Sequence, residues 1–215
     1  DGLQQQLNQL GQNPGILVGT QILAKGHDLP LLSFVGVVGV DEGLYSADFR
    51  APEKLAQLLV QVSGRAGRSE RAGSVLIQTH HPEHPLLHEL LQGGYRRFAR
   101  SALAERRLAE LPPYAYMALI RCESVHSEAA QAFLQDAAGI LKARIKQDGM
   151  QMHSSGAIPA AMPKRAGKSR WQLALSAGSR TELQLLLAES IGDLHQLKSA
   201  RKARWSVDVD PTDFI

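Results

Sequence analysis

Apolar positions in this chain switch repeatedly between the period of a helix and that of a strand. Leu3, Leu7 and Leu10 suit one face of a helix end, stopped by Gly11 and the Asn13-Pro14-Gly15 turn. Residues 16–18 predict a short buried strand that runs into Gly19-Thr20. Residues 34–40 form a near-continuous, valine-rich apolar run, as expected for a strand covered on both faces of a parallel sheet. Over residues 51–62, Leu55, Leu58, Leu59 and Val62 fall on one helical face, and Pro52 sits where a first turn tolerates it. Residues 73–79 predict another strand, His81-Pro82 a break and 85–91 a short helix. Strands alternating with helices predict an α/β layer with a parallel sheet.

Gly93-Gly94 then punctuates, and a basic helix is expected over 95–110, ended by Leu111-Pro112-Pro113. The domain boundary is placed there, giving domains of residues 1–111 and 112–215. The second half reads as strand 117–123, helix 127–147, strand 152–158, a loop, strand 171–176, helix 179–198 and strand 205–209. Ser179 with Glu182 three residues on is a capping pattern for the last helix. The order βαββαβ is that of a small α+β, ferredoxin-like domain. No repeat or low-complexity tract interrupts the pattern.

The 215 residues, 44% hydrophobic and 21% charged, have the composition of an ordinary globular protein. Cys122 is the single cysteine, so neither an intramolecular disulfide nor a cysteine zinc site can form within the chain. The longest apolar run, 29–40, contains Pro30, Ser33 and two glycines, which excludes a spanning helix there and fits a cytoplasmic setting. Asp1 has no preceding Met, and the sequence reads as a fragment of a longer protein. Net charge is only +3. The cations are nevertheless grouped: Arg96, Arg97, Arg100, Arg106 and Arg107; Lys164, Arg165, Lys168 and Arg170; Lys198, Arg201, Lys202 and Arg204. Such clusters suit a polyanion partner, although solvated helix faces also look like this.

Two segments carry candidate chemistry. In Gln61-Val62-Ser63-Gly64-Arg65-Ala66-Gly67-Arg68, two arginines three apart follow a buried helix. Small residues between them let the backbone approach a ligand, and guanidinium forks match phosphate oxygens. A solvent-facing helix terminus is the plainer reading. In Gly19-Thr20-Gln21-Ile22-Leu23-Ala24-Lys25-Gly26-His27-Asp28, a Gly-Thr at a strand end offers amides and a hydroxyl to a phosphate, and Asp28 could accept from ribose hydroxyls.

In this order and separation the two segments resemble motifs V and VI of superfamily 2 helicases. The run from Asp41-Glu42-Gly43 through Asp48-Phe49-Arg50-Ala51-Pro52-Glu53, and Gln78-Thr79-His80-His81-Pro82-Glu83-His84-Pro85, look like the PriA family of primosomal, replication-restart DNA helicases. Leu111-Pro112-Pro113-Tyr114, the stretch from Pro163-Lys164-Arg165 to Arg170-Trp171, and Val207-Asp208-Val209-Asp210-Pro211 resemble that family's C-terminal domain. The resemblance implies part of the second RecA-like lobe of a 3′–5′ ATP-dependent DNA helicase, followed by a DNA- and partner-binding domain. In such enzymes the paired arginines of motif VI, here Arg65 and Arg68, reach the ATP phosphates and stabilise charge on the transferred phosphoryl group. Gln61 would couple nucleotide to lobe closure, Gly26 and Asp28 would face the ribose, and Gly19 and Thr20 would grip the DNA backbone. The resemblance also implies recognition of stalled or branched forks, primosome assembly with partner proteins and a nucleoid-associated place in the cytoplasm.

ATP and Mg²⁺ would bind a site completed outside this chain, because no phosphate loop or acidic Mg²⁺ box is present. Ala166-Gly167-Lys168-Ser169 imitates the end of such a loop, but the first glycine would fall at Met162 and the segment lies in a hairpin loop. The family's zinc ligands are likewise missing, and this chain alone is expected not to hydrolyse ATP. Lys164, Arg165, Lys168, Arg170 and Trp171 suit a DNA backbone with a stacked base or sugar; the plainer reading puts Trp171 in the core. Arg180 and Gln184 share a face near a helix start, where anions are favoured. The resemblance implies binding of the acidic tail of single-stranded-DNA-binding protein; the helix start suggests Arg180 as its carboxylate clamp and Gln184 as hydrogen-bonding neighbour, and an exposed polar helix start is the plainer reading. His80, His81, His84 and His88 receive no metal role, and Cys122 is expected as a small hydrophobe in a strand. Another superfamily 2 fork-remodelling translocase, or a free-standing DNA- or protein-binding module, are the rival readings.

Overall fold

A computed structural model describes residues 15–20, 32–46, 48–66 and 73–213 of the 215, with side chains omitted at 65 and 66. The chain divides into two compact units, one up to Leu103 and one from Ala104.

In the first unit, β1 (Phe34–Val37) pairs in parallel with β2 (Ser74–Ile77). Between them lie a short helix, α1 (Asp41–Leu44), and α2 (Ala51–Ala66); α3 (Pro85–Leu108) follows β2. The apolar stripe read from the sequence forms the core here: Leu55 and Leu59 of α2 pack with Val40, Leu87, Leu90 and Phe98. As the sequence implies, the two glycines divide α3 into two helical segments, which meet at a kink. Gly94 takes φ 69° and ψ −178°, outside the helical region, and φ there favours glycine. The kink lets Phe98, 2% exposed, join the same core as Leu86 and Leu87.

Two expectations fail in this unit. β1 alternates instead of being covered on both faces: Val37 and Ile77 pack on the core, while Phe34 and Leu76 are exposed. Only one face of this pair meets helical side chains among the described residues. Residues 16–18, expected as a buried strand, form no strand, and Ile16 and Val18 are 90% and 88% exposed. A strand needs a ladder partner, and an apolar run alone does not supply one.

The second unit follows its predicted pattern closely. β3 (Tyr116–Ser124), α4 (Ser127–Gln147), β4 (Met152–Ser154), β5 (Ile158–Arg165), β6 (Lys168–Ala177), α5 (Arg180–Gln196), a 3-10 helix (Ser199–Lys202) and β7 (Arg204–Val209) succeed one another. The strands form one antiparallel sheet in the order β4-β6-β3-β7, and β5 adds to β6. Alternation on β3 and β6 places Ile120, Cys122, Leu173 and Leu175 on the face that meets Phe133 and Leu186. Ser179 caps α5, its Oγ accepting from the Glu182 N–H at 3.3 Å.

The stretch 152–170 departs from expectation, which had one strand over 152–158 and then a loop. β4 stops at Ser154, and most of the supposed loop is strand β5. Pro159 and Pro163 argue against a strand in a sheet interior but are tolerated at an edge, where β5 lies. Ala166 and Gly167, at φ 47° and 75°, make the two-residue turn into β6. Two positive φ values are the geometry that matches hairpin twist.

Candidate nucleic-acid interface

The β5–β6 hairpin gathers the basic residues of the second unit. Its register sets Lys164 opposite Ser169 and Arg165 opposite Lys168, so three cations converge at the tip. Lys164 and Arg165 are exposed and have no acidic partner among the described residues. Lys168 turns back, its Nζ donating to Glu123 Oε1 at 2.8 Å. Arg170 is half-buried and sits opposite Glu123 in the β3–β6 register; Arg204 on β7 sits opposite Glu123 from the other side, with Nη1 at 4.0 Å. One carboxylate on β3 is therefore ringed by three cations from the two strands that flank it, β6 and β7. The Lys168 ammonium, by its hydrogen bond, holds the Glu123 carboxyl below the usual range. The result is a band of surplus positive charge across one end of the sheet, whose inner members are fixed and whose tip is free to meet an anion.

Trp171 does not lie on that surface. Its Nε1 donates to Ser127 Oγ at 3.1 Å, and its ring is partly buried against the core. The indole thus anchors the hairpin base to the start of α4.

Arg180 opens α5, and Gln184 stands one turn further on, exposed on the same face. Arg180 Nη2 lies 3.2 Å from Asp210 Oδ2. A guanidinium has five N–H donors, so one such contact orients it and leaves most of the fork open.

In the first unit, the loops at the carboxyl ends of β1 and β2 are pinned together. Thr79 Oγ1 donates to Asp41 Oδ1 at 2.5 Å, and the His80 N–H donates to Oδ2 at 3.0 Å. These bonds, Thr79 first, hold the Asp41 carboxyl below its ordinary range. Strand carboxyl ends are where open α/β sheets bind ligands. Asp48, 3% exposed, is tied to Lys54 Nζ at 2.8 Å and accepts from the Arg50 N–H, which fixes the entry to α2. Gln61 is half-buried on α2, and Arg65 belongs to its last turn. Gly19 and Thr20 are exposed and irregular. Gly26, Asp28, Arg68 and the Arg65 side chain lie outside the described residues, so their expected convergence on a nucleotide has no geometry here.

Residues 107–212 match the family model described as Primosomal protein N C-terminal domain. The whole chain is similar to Replication restart protein PriA of Haemophilus influenzae, 45% identical over 93% of this chain and 27% of that protein. The protein of the same name from Bacillus subtilis is 37% identical over 91% of this chain and 24% of its own length. That of Rickettsia conorii is 32% identical over 93% and 29%.

The chain belongs to the PriA family.

It spans about a quarter of the length of these PriA relatives. The match beginning at residue 107 includes the whole hairpin, Glu123, Arg180 and Arg204. No sequence motif links Glu123 and Arg204 to this site, because both stand far from the hairpin along the chain. Only the pairing of β3 with both β6 and β7 brings them to it. Alternating burial on β3, with Glu123 as a charged position among apolar ones, is the one sequence signal that could have flagged it. Among the described residues no histidine, cysteine or carboxylate group clusters in a way that could hold a metal ion.

Proposed function

We propose that this chain is the C-terminal part of an ATP-dependent DNA helicase that translocates 3′ to 5′, recognises stalled or branched replication forks and initiates primosome assembly for replication restart. The observation that carries the reading is the similarity, over more than nine-tenths of the chain, to proteins named Replication restart protein PriA. The order of the motif residues supports it. ATP and Mg²⁺ would be bound jointly with a lobe outside this chain, to which Gly26, Asp28, Arg65 and Arg68 would be this chain's contribution and Gln61 the link to lobe closure. Gly19 and Thr20 would hold the DNA backbone. The chain by itself would turn over no ATP; phosphate release that Arg68→Ala abolishes would contradict this.

The β5–β6 hairpin would be a second DNA contact, made by Lys164 and Arg165 with Lys168 and Arg170 behind them. Its contacts would be to phosphate and therefore salt-dependent. Trp171, hydrogen-bonded to Ser127, would support the hairpin from below. The test is forked-DNA binding by fluorescence anisotropy over a range of salt concentration. Lys164→Gln with Arg165→Gln should flatten the slope of log K against log salt by about 2. An unchanged slope removes the hairpin from the interface, and no binding by the parent chain removes the DNA reading of this fragment.

Arg180 and Gln184 would hold the C-terminal tail of single-stranded-DNA-binding protein, with Arg180 on the terminal carboxylate; other primosome proteins would complete the assembly. The partly open guanidinium fork supports this. A labelled tail peptide should lose about tenfold or more in affinity on Arg180→Ala. Equal affinity for the two proteins would end the assignment. No helix among the described residues is long and apolar enough to cross a membrane, and no membrane partner is proposed.

A further inference from the structure

The C-terminal half of α4 and the strand β4 border a groove that none of these roles uses. Its volume is about 800 Å³. Ile145, Met150 and Met152 line it and are themselves partly buried against the core, which gives it an apolar floor. Lys142 and Lys146, both exposed, line it from α4.

Three independent features describe what would fit. The first is an open strand edge. β4 pairs with β6 along one side, and among the described residues no strand pairs with the other. The free side offers backbone N–H and C=O groups to an added strand. The second is Gly139, which lines the groove in the middle of α4. A mid-helix glycine weakens a helix. Nothing within 4 Å would meet a Cβ at this position, so internal packing gives no reason for the glycine. Its missing side chain does leave that wall of the groove open to a second backbone. The third is charge. Lys142 and Lys146 are one helical turn apart, and neither has a carboxylate partner among the described residues. Arg144 between them points elsewhere, pairing with Glu189 at 3.2 Å and Asp193 at 2.8 Å.

We propose that this groove binds an acidic peptide in extended conformation, which pairs with the free edge of β4, sets an apolar side chain on Met150 and Met152, and aligns its carboxylates with Lys142 and Lys146. A nucleic-acid strand would match the lysines but neither the thioether floor nor the backbone donors of the strand edge. A neutral peptide would leave both ammonium groups unused. The site is independent of Arg180, which would recognise a terminal carboxylate, whereas β4 would recognise main chain.

The probe is a fluorescein-labelled nine-residue peptide alternating glutamate with valine and phenylalanine, amidated at its C-terminus so that it presents no terminal carboxylate. Titrated with the full chain, it should bind saturably and more weakly as salt rises. Lys142→Gln with Lys146→Gln should weaken it about tenfold, and Arg180→Ala should leave it unchanged. Gly139→Gln separates binding from folding. It places a long side chain in the groove, so affinity should fall about tenfold or more, while loss of the mid-helix glycine should raise the melting temperature by about 2–6 °C. Amide shifts on binding should centre on residues 152–154. Absence of saturable binding, full affinity in Gly139→Gln, or shifts confined to the β5–β6 hairpin would each overturn the proposal. So would a nine-nucleotide single strand that binds through Lys142 and Lys146 where the peptide does not.

Discussion

Native Cys122 should react with a thiol reagent at pH 8 about a thousandfold more slowly than the same thiol in the unfolded chain. The thiolate is the reacting species, and its population follows the pKa. Cys122 lies on β3, 3% exposed, in the core beside Ile120 and Leu173. Burial, and to a lesser degree the neighbouring Glu123 carboxylate, push the thiol up from its ordinary value of 9.0 to about 12. The sign of the linked stability effect follows. Below the ordinary value both folded and unfolded chains hold the proton. Between 9.0 and about 12 the unfolded chain ionises while the folded one does not, so stability falls as pH rises through that window. Because Cys122 is the only cysteine, a single chromogenic disulfide reagent reads it directly, with and without denaturant. Native labelling within a factor of about ten of the unfolded rate would mean that β3 opens readily or is not packed as described.

Phe133→Ala should destabilise the C-terminal unit by about 3–5 kcal/mol. The ring is fully buried on α4 and stacks on Trp205 of β7, centroids 5.1 Å apart and planes 30° off parallel. Removing it costs the burial of a large apolar side chain and leaves a cavity between helix and sheet that neighbours fill only in part. The readout is specific. The two tryptophans, Trp171 and Trp205, both belong to this unit, so intrinsic fluorescence in a urea titration follows its unfolding alone. The midpoint should drop while the slope stays constant, since the unfolded surface barely changes. A loss of less than about 1 kcal/mol would show that the Phe133 site collapses around the truncation or that the aromatic pair is not central to this core.

The proposed functions draw on the same scaffold. The hairpin's cations, the Arg180 fork and the β4 groove are borne on a sheet-and-helix frame whose core is continuous. A variant such as Phe133→Ala should therefore weaken all three in parallel, whereas surface substitutions should separate them. This contrast distinguishes a failed fold from a failed site.

The sequence alone determined the local elements wherever periodicity was strong and uninterrupted. α4 was read to the residue because its apolar positions repeat at helical spacing over 21 residues, and the Ser179 cap of α5 was legible from two side chains. The glycine pair at 93–94 and the family resemblance were equally local signals. Tertiary structure decided what depends on a partner strand. Whether residues 16–18 become a strand, whether β1 is covered once or twice, and whether a proline-bearing stretch joins a sheet edge are set by what lies alongside, which a period cannot encode. The same holds for function: Lys164 and Arg165 announce themselves as a cluster, but Glu123 and Arg204 join them only through the ladder of β3. Backbone pairing couples residues distant along the chain, and for that reason the charge pattern of the site emerges only on folding.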